Sequence, residues 1–464
     1  MVTGVVAAVG LTIGGAAVAG NAAPAPAGTF PYTTTSDFNA GAEVTLTQTV
    51  QRITNTDPGD EYDPALSGDL VVYTGNRDGD TDVYYVDLTT GVETAVTQLP
   101  GMQELSDVYS PLITYTDLSV RDVWVYDTRT GETTNVTGSS GAFAANPAIG
   151  RDTVVWEDTR DANVEIYGMD LATGIERRIT ESTPSDGAPE VSTGTAQDQV
   201  VWQVCTGGIC DIALYDWFTG ATRMVTETTD ADERRPDMDG DIVVYDGYKD
   251  GERDIYAYDV TTRQTRRLTL AGSQNNPNIS GDVVAFEDVS TGMYRIMLWH
   301  LPTGAVLQLT DGLEGEYLND IDGNRVAYTA RRNNQLDIYL STFTIEESSD
   351  YNFTGFFPPV DNDAVLNVAK AGSSIPVKFS LGGDMGLQVL AANSPTSQQV
   401  ACDQGVPTDP IETTVTAGGS TLTYDPETGQ YTYVWKTDRT WTGCREFILT
   451  LDDGSQHTAL FKFR

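Results

Sequence analysis

The segment Arg235–Thr269, RPDMDGDIVVYDGYKDGERDIYAYDVTTRQTRRLT, decides the fold. It holds an apolar run, a turn rich in Gly and Asp, an alternating run, a second turn and a short final run. This order is typical of short antiparallel strands. A second copy, NPNISGDVVAFEDVSTGMYRIMLWHLPTGAVLQLT, occupies Asn276–Thr310. Copies recur every 40 to 46 residues with about four strands each, and this period predicts an all-β protein built on a β-propeller.

Two landmarks of the repeat each occur seven times. One is an aromatic residue in the second strand, at Tyr73, Tyr115, Trp156, Trp202, Tyr245, Phe286 and Tyr328. The other is the start of the third strand, at Asp82, Asp122, Glu165, Asp211, Asp254, Arg295 and Asp337. Because the aromatic residue recurs at one position of every copy, it is expected to pack between neighbouring blades.

A third landmark is the threonine that ends the outer strand of each copy. Only six such threonines follow the start of the first copy. Their positions are Thr97, Thr137, Thr180, Thr226, Thr269 and Thr310. The segment VQRIT at Val50–Thr54 matches ERRIT at Glu176–Thr180, so an N-terminal strand can supply the missing outer strand and cover an open edge. We predict seven blades over residues 45–345, closed by this strand; six or eight blades are the alternatives.

The N-terminal residues predict export. Gly4–Gly20 is uncharged and small, and A-x-A patterns follow, so residues 1–27 are interpreted as a secretory signal peptide and residues 28–44 as a linker. The first basic residue is Arg52, whereas a signal peptide begins with positive charge; a longer leader or a membrane anchor are the alternatives. The mature chain is expected to lack a transmembrane helix and to be a monomer, extracellular or in the cell envelope.

Four cysteines fall in two separate regions, Cys205 with Cys210 and Cys402 with Cys444. An even count divided in this way in an exported chain predicts two local disulfides. Zinc is disfavoured because the pairs are distant in sequence and have no histidine beside them.

The charge excludes one class of partner. The chain has 27 basic and 67 acidic residues and a formal net charge of −40. Such a field repels phosphate backbones, so we expect no nucleic-acid partner. Disorder is excluded as well, because apolar residues make up 39% of the chain and occur in regular short runs.

Asp78, Asp80 and Asp82 alternate around Gly79 in NRDGDTDVYYVDLTTG. Spaced carboxylates on a glycine turn can bind calcium. Asp82 recurs in other copies, as expected of a scaffold residue, whereas Asp80 does not recur in the three sibling hairpins. We interpret the segment first as a β-turn and keep calcium as the only cofactor hypothesis.

No catalytic motif stands out. The chain has no G-x-S-x-G elbow, no phosphate-binding G-x-x-x-x-G-K-[ST] loop and no H-E-x-x-H. Its two histidines are His300, which replaces an Asp found in five other copies, and His457, which lies in the tail. Carboxylates are so frequent that no pair can be singled out as acid and base, and no catalytic or ligand-binding residue is predicted.

The repeat, seen in Pro277–Phe286 and Asp254–Thr269, resembles the TolB-like propeller repeats (the WD40-like, PD40 group) of bacterial envelope and secreted proteins. That resemblance implies a platform that binds proteins, peptides or glycans. Its characterised members are mostly six-bladed, so a count of seven departs from them.

The tail, residues 351–464 after a linker at 346–350, contains PVKF at Pro376–Phe379 and resembles the PxKF domain of exported bacterial proteins. Its alternating runs and the Cys402–Cys444 pair suggest an immunoglobulin-like sandwich, with an accessory, adhesion or spacer role.

The sequence therefore favours a non-catalytic, secreted or cell-envelope protein whose propeller face or channel binds a protein or glycan. The first alternative is a carbohydrate-active enzyme, a glycosidase or polysaccharide lyase, with an acidic site at the channel mouth. The second is a structural surface component.

Overall fold

The computed structural model describes residues 29–30, 44–54, 59–77, 79–138, 141–181, 185–192, 198–312, 315–347, 351–362, 365–402, 408–410 and 422–464. The predicted leader, residues 1–27, lies outside these ranges, as does Asp78. Every regular element in the described part of the chain is a β-strand.

The first two strands are β1 (Thr29–Phe30) and β2 (Val44–Arg52). Blade 1 contains β3 (Asp60–Ser67), β4 (Leu70–Asn76), β5 (Thr81–Asp87) and β6 (Val92–Ala95). Blade 2 contains β7 (Gln103–Tyr109), β8 (Leu112–Asp117), β9 (Asp122–Asp127) and β10 (Glu132–Asn135). Blade 3 contains β11 (Ala144–Ile149), β12 (Thr153–Asp158), β13 (Glu165–Asp170) and β14 (Ile175–Arg178).

Blade 4 contains β15 (Ser185–Val191), β16 (Gln199–Thr206), β17 (Ile209–Asp216) and β18 (Thr222–Met224). Blade 5 contains β19 (Asp232–Asp239), β20 (Ile242–Lys249), β21 (Glu252–Asp259) and β22 (Gln264–Arg267). Blade 6 contains β23 (Gln274–Ser280), β24 (Val283–Asp288), β25 (Arg295–His300) and β26 (Val306–Gln308). Blade 7 contains β27 (Glu316–Asp322), β28 (Arg325–Arg332) and β29 (Gln335–Glu347).

These strands form seven antiparallel sheets, and the first strand of each blade contacts its counterparts in the two neighbouring blades, so that β3, β7, β11, β15, β19, β23 and β27 form a closed inner ring. The outer strand of blade 7 is β2, which pairs with β29 from Val44↔Glu347 to Arg52↔Tyr339. The predicted seven-bladed propeller, closed by an N-terminal strand, is confirmed.

The closing strand reproduces the contacts of an ordinary outer strand. The Thr54 hydroxyl accepts a hydrogen bond from the Ile338 N–H at 2.9 Å, as Thr97 does from Val83 in blade 1 at 2.9 Å. Arg52 also pairs with Asp337 at 2.6 Å. The ring is thus joined by side chains nearly 300 residues apart in sequence.

Apolar side chains fill the spaces between blades. Leu66, Val71 and Tyr73 of blade 1 share a buried cluster with Ala327 and Ile338 of blade 7. The second-strand aromatics lie in such clusters; Tyr73, Trp156 and Phe286 are fully buried. Burial of this apolar area supplies most of the stabilisation that holds neighbouring blades together.

The C-terminal part has nine strands: β30 (Phe356–Phe357), β31 (Leu366–Ala369), β32 (Ser374–Phe379), β33 (Thr396–Val400), β34 (Thr408–Pro410), β35 (Leu422–Asp425), β36 (Gln430–Lys436), β37 (Gly443–Thr450) and β38 (Gln456–Phe463). They form two sheets, β30-β32-β36-β35 and β33-β37-β38-β31-β34. Both sheets contribute to one core, which includes Phe379, Tyr431 and Phe447. The finer prediction of an immunoglobulin-like domain stays a prediction.

Within the described ranges, no helix is long and apolar enough to cross a membrane.

Candidate functional site

Each of the seven inner strands is interrupted at the same place. The pairing register of the inner strand with its neighbour shifts there in every blade, as between Tyr62 and Ala65 in blade 1. One residue in each bulge has left-handed backbone geometry, with φ between 46° and 58°: Asp63, Leu105, Asn146, Ala188, Arg235, Asn276 and Leu318. Residues without glycine's freedom rarely adopt this conformation, and it clusters at functional sites.

Side chains of the preceding blade accept the backbone N–H of the left-handed residue in several of the bulges. The N–H of Ala188 donates to Glu157 of blade 3 at 2.8 Å, and the N–H of Leu318 donates to Glu287 of blade 6 at 2.7 Å. Thr116 and Thr329 accept the equivalent N–H groups of the next blades at 3.2 Å. Because these acceptors follow the buried aromatic residue of the second strand, the bulges are anchored to the propeller core.

Two residues beyond the left-handed residue, three blades carry an aspartate that links neighbouring blades. In Asp107, Asp237 and Asp320, one carboxylate oxygen accepts the N–H of the following residue, at 2.7 Å in each case. The other oxygen accepts an N–H from the next blade, donated respectively by Ile149 at 2.7 Å, Ile279 at 2.6 Å and Leu66 at 2.6 Å. These three carboxylates have a structural role that their geometry fully accounts for.

Glu190 has the equivalent position in blade 4, but it does not link two blades by hydrogen bonds. Its carboxylate has no hydrogen-bond partner among the described residues. The corresponding N–H of the next blade, that of Met238, donates to Asp237 instead. Asp63, the left-handed residue of blade 1, likewise has a carboxylate with no hydrogen-bond partner in the described ranges. Two of the five acidic groups at this level of the ring are therefore not used by the scaffold.

The five carboxylates affect one another's protonation. Burial raises the pKa of Asp63 to about 6, and the charge of Glu104 adds to this effect. Burial raises the pKa of Asp107 to about 7 and that of Asp237 to about 6. All five side chains are half-buried and lie on the inner strands that surround the axis of the ring.

The pKa of Glu190 is raised well above its ordinary value, first by burial and then by the charges of Asp107, Asp237, Asp320 and Asp63. Charges on blades 1, 2, 5 and 7 thus all act on a side chain of blade 4. The inner ring therefore brings carboxylates that are far apart in sequence into one site, where burial and the neighbouring charges favour the uncharged form of Glu190.

Tyr62 and Glu104 lie beside Asp63 at the start of the inner strands. The Tyr62 hydroxyl donates to Glu104 at 3.3 Å, and the Thr81 hydroxyl donates to the same oxygen at 2.8 Å. Burial and the Glu104 carboxylate raise the pKa of Tyr62. The surroundings of Asp63 therefore contain two hydrogen-bonded hydroxyl groups, those of Tyr62 and Thr81, as well as the carboxylate of Glu104.

Two of the three calcium candidates, Asp80 and Asp82, lie in the described residues and hydrogen-bond groups of blade 1 and of the loop that follows it. Asp80 accepts the Gly101 N–H at 3.2 Å, and Asp82 accepts the Thr97 hydroxyl at 2.8 Å, so both stabilise loops of blade 1. In the part of the chain that the structure describes, no three His, Cys, Asp or Glu side chains are grouped so that they could hold a metal ion. With Asp78 outside the described residues, calcium binding stays a prediction.

The remaining predicted residues lie outside the channel. Cys205 is bonded to Cys210 across the β16–β17 hairpin of blade 4, and Cys402 to Cys444 in the C-terminal part. His300 hydrogen-bonds Thr303 at 2.8 Å in a turn of blade 6.

Sequence reasoning missed the channel residues, although a signal was present. In five copies the left-handed residue precedes proline, at Pro64, Pro147, Pro189, Pro236 and Pro277. The residue after each of these prolines has the inner-strand position that Asp107 has in blade 2 and Glu190 in blade 4. Aligning these five copies on the proline would have placed Glu190 at the same position as Asp237 of blade 5.

No protein-family model and no curated protein match the chain. Solved structures do match. An oligogalacturonate lyase in complex with manganese is 18% identical over 69% of this chain and 98% of that chain, with a TM-score of 0.50. A puromycin-hydrolyzing peptidase from Mycobacterium tuberculosis is 15% identical over 59% of this chain and 49% of that chain, with a TM-score of 0.49.

TolB from Acinetobacter baumannii is 17% identical over 64% of this chain and 80% of that chain, with a TM-score of 0.36. Identities this low show the propeller fold alone. The propeller fold is thus supported by the oligogalacturonate lyase structure, whereas the TolB-like resemblance of the repeats and the PxKF resemblance of the tail stay predictions.

The prediction of a non-catalytic binding protein is wrong. The solved structures that share this fold include an enzyme, the oligogalacturonate lyase. The prediction rested on the scarcity of nucleophile and histidine motifs. It kept a carbohydrate-active enzyme with an acidic site only as its first alternative, because carboxylates are so frequent in the sequence that no pair could be singled out.

Proposed function

We propose that the chain is a carbohydrate-active enzyme that cleaves a glycosidic bond in the propeller channel, with Glu190 as general acid and Asp63 as general base. The observation that carries this proposal is the pair of channel carboxylates left without a hydrogen-bond partner among the described residues. Their counterparts Asp107 and Asp320 bind backbone N–H groups on both oxygens.

The environments of the two groups suit different roles. The pKa of Glu190 is raised well above the ordinary value by burial and by the surrounding charges, which favours the protonated form that can donate. Burial raises the pKa of Asp63 only to about 6, so it is largely ionised at neutral pH. Two carboxyl groups whose surroundings separate their pKa values are the arrangement that acid–base cleavage of glycosides requires.

In hydrolysis, Glu190 donates its proton to the glycosidic oxygen as the bond from that oxygen to the anomeric carbon breaks. Asp63 takes a proton from a water molecule, whose oxygen bonds to the anomeric carbon. Glu190 ends as a carboxylate and Asp63 as a carboxylic acid, and exchange with solvent restores both. Blades 1 and 4 lie on opposite sides of a seven-bladed ring, which leaves room for sugar and water between the two groups.

The same pair serves elimination if the substrate is a uronate. Asp63 then takes the proton from the carbon next to the sugar carboxylate, and Glu190 protonates the departing oxygen, which leaves a carbon–carbon double bond. A propeller of the same fold is described as an oligogalacturonate lyase, which supports a glycan as a substrate for a channel of this shape.

Export is part of the proposal. Two disulfides support an extracellular or cell-envelope location, because such bonds persist in oxidising compartments. We assign the C-terminal part, as an immunoglobulin-like PxKF-type domain, an accessory or adhesion role.

A panel of neutral, amino-sugar and uronate oligosaccharides tests the function. Hydrolysis releases new reducing ends, whereas elimination also produces an unsaturated sugar that absorbs ultraviolet light. The proposal predicts that the full-length protein cleaves at least one member and that Glu190→Gln abolishes the cleavage. Failure to cleave any member, or equal cleavage by the variant, contradicts it.

A further inference from the structure

Positive charge in the inner ring is confined to one place. Among the residues of the seven inner strands, only Arg234 and Arg235 are basic, and both belong to blade 5. Arg235 has the left-handed position that Asp63 has in blade 1, with φ values of 49° and 58°. The channel mouth is therefore acidic on the side of blade 1 and cationic on the side of blade 5.

One edge of the Arg235 guanidinium group is hydrogen-bonded to the protein, and the opposite edge is not. Its Nε donates to the buried carboxylate of Asp246 at 2.6 Å. Its two terminal nitrogens have no hydrogen-bond partner among the described residues, and the side chain is 41% exposed. Because the Nε bond fixes the orientation of the guanidinium group, its two terminal nitrogens are available to bind a ligand.

Carboxylates surround the guanidinium groups of blade 5. Arg253 also pairs with Asp246, and Arg234 pairs with Asp232 at 2.8 Å. Burial raises the pKa of Glu287 in blade 6, and the charge of Arg235 opposes this rise. Arg235 thus has carboxylates nearby, but among the described residues its two terminal nitrogens are not hydrogen-bonded to them.

We propose that Arg235 binds the carboxylate of a uronate unit in the substrate. This inference rests on the proposed function and names the class of glycan that the site takes. The two terminal nitrogens of a guanidinium match the two oxygens of a carboxylate, which gives both charge and direction. With the uronate carboxylate held at blade 5, the sugar ring extends across the mouth toward Asp63 and Glu190.

The acidic channel is compatible with an anionic substrate. Burial raises the pKa of Asp107 to about 7 and that of Asp237 to about 6, so the channel carries less negative charge near neutrality than its composition suggests.

Binding of a galacturonate trisaccharide and of its methyl ester tests the assignment. Both are titrated calorimetrically into the full-length protein, carrying Glu190→Gln so that no product forms. The acid is expected to bind more tightly than the ester. Arg235→Ala should weaken binding of the acid by about tenfold to hundredfold, the range for one charge-assisted pair, and leave the ester unchanged. Arg235→Lys should restore part of the preference.

Arg253→Ala is the matched control. It removes the other partner of Asp246 but leaves the open fork of Arg235, so it should keep the preference for the acid. Equal losses in Arg235→Ala and Arg253→Ala, equal weakening of acid and ester, or no binding of the acid by the parent overturns the inference. If the acid binds more tightly than the ester but the protein with its native Glu190 cleaves no glycan, the inference stands and the enzyme proposal is refuted. If the protein cleaves a glycan equally well with and without the Arg235 side chain, the enzyme proposal stands and the inference is refuted.

Discussion

Glu190 and Asp320 occupy equivalent positions of the inner ring, yet only Asp320 is held by two backbone N–H groups, those of Leu66 at 2.6 Å and Ile321 at 2.7 Å. One extra methylene group thus separates a carboxylate that links blades from one that the scaffold leaves unused. This difference, repeated against Asp107 and Asp237, is the basis of the functional assignment.

Glu190→Asp should separate stability from activity. The shorter side chain can reach the N–H of the following residue, as Asp107 reaches Val108 at 2.7 Å. We expect thermal stability to be kept or increased. Cleavage should fall by about a hundredfold, since the proton donor is withdrawn from the substrate and its pKa is lowered. A melting curve and a cleavage assay on the same sample check both; an Asp variant with full activity would count against an acid role.

The cleavage rate should show a bell-shaped dependence on pH. Asp63, with a pKa of about 6, must be ionised to accept a proton, so the rate should rise as pH increases through about 6. The rate should fall again where Glu190, whose pKa is raised well above its ordinary value, loses its proton. In Glu190→Gln, measured with a substrate that needs no acid, the alkaline limb should disappear. A profile that is flat from pH 5 to 8 contradicts the assignment.

Stability should decrease as pH rises from about 4 to about 7. Asp237 and Asp107 have folded-state pKa values of about 6 and about 7, above the unfolded value of about 3.9. The folded state therefore binds more protons in this window, and stability present below about pH 4 is lost as these groups ionise. Denaturant midpoints measured across the window check the slope.

Two substitutions identify the groups responsible for that slope. Asp107→Asn should make the pH dependence shallower, because it removes one of the groups that ionise. Asp259→Asn should leave it unchanged, because bonds from the Thr262 and Thr261 N–H groups lower the pKa of exposed Asp259. An unchanged slope in Asp107→Asn shows that the channel carboxylates do not control this dependence.

Ring closure should depend on Thr54. Its hydroxyl is buried and accepts the Ile338 N–H at 2.9 Å, so Thr54→Ala should lower the free energy of unfolding by about 1 kcal/mol. Thr269→Ala is the control, because Thr269 has the equivalent position in blade 5 but is exposed. Equal effects of the two substitutions would show that the closing strand has no special importance.

The architecture could be predicted from the sequence because it repeats. Seven buried aromatics and seven third-strand starts fix the blade number, and VQRIT identifies the closing strand, since each feature is local and each copy confirms the others. The C-terminal part has no internal copies. Its two-sheet arrangement includes a parallel pairing of Leu366–Ala369 with Leu460–Phe463, which alternation of apolar residues cannot predict.

The site could not be predicted in the same way, because what matters at Glu190 is a departure from the repeat. Its function depends on which backbone N–H groups are already occupied, such as that of Met238 by Asp237. It also depends on carboxylates from four other blades, which come together only when the ring closes. Arg235 was visible in the sequence, but its open guanidinium edge was not.

The most direct test of the central claim compares two leaving groups on the sugar that the oligosaccharide panel identifies. Departure of a 4-nitrophenolate needs no proton, whereas departure of a sugar alkoxide does. Glu190→Gln should therefore cleave the natural linkage about 10²- to 10⁴-fold more slowly and the 4-nitrophenyl glycoside almost normally. Asp63→Asn should lose both activities, and Asp259→Asn should keep both. Natural linkages cleaved at the parent rate by Glu190→Gln would contradict the account.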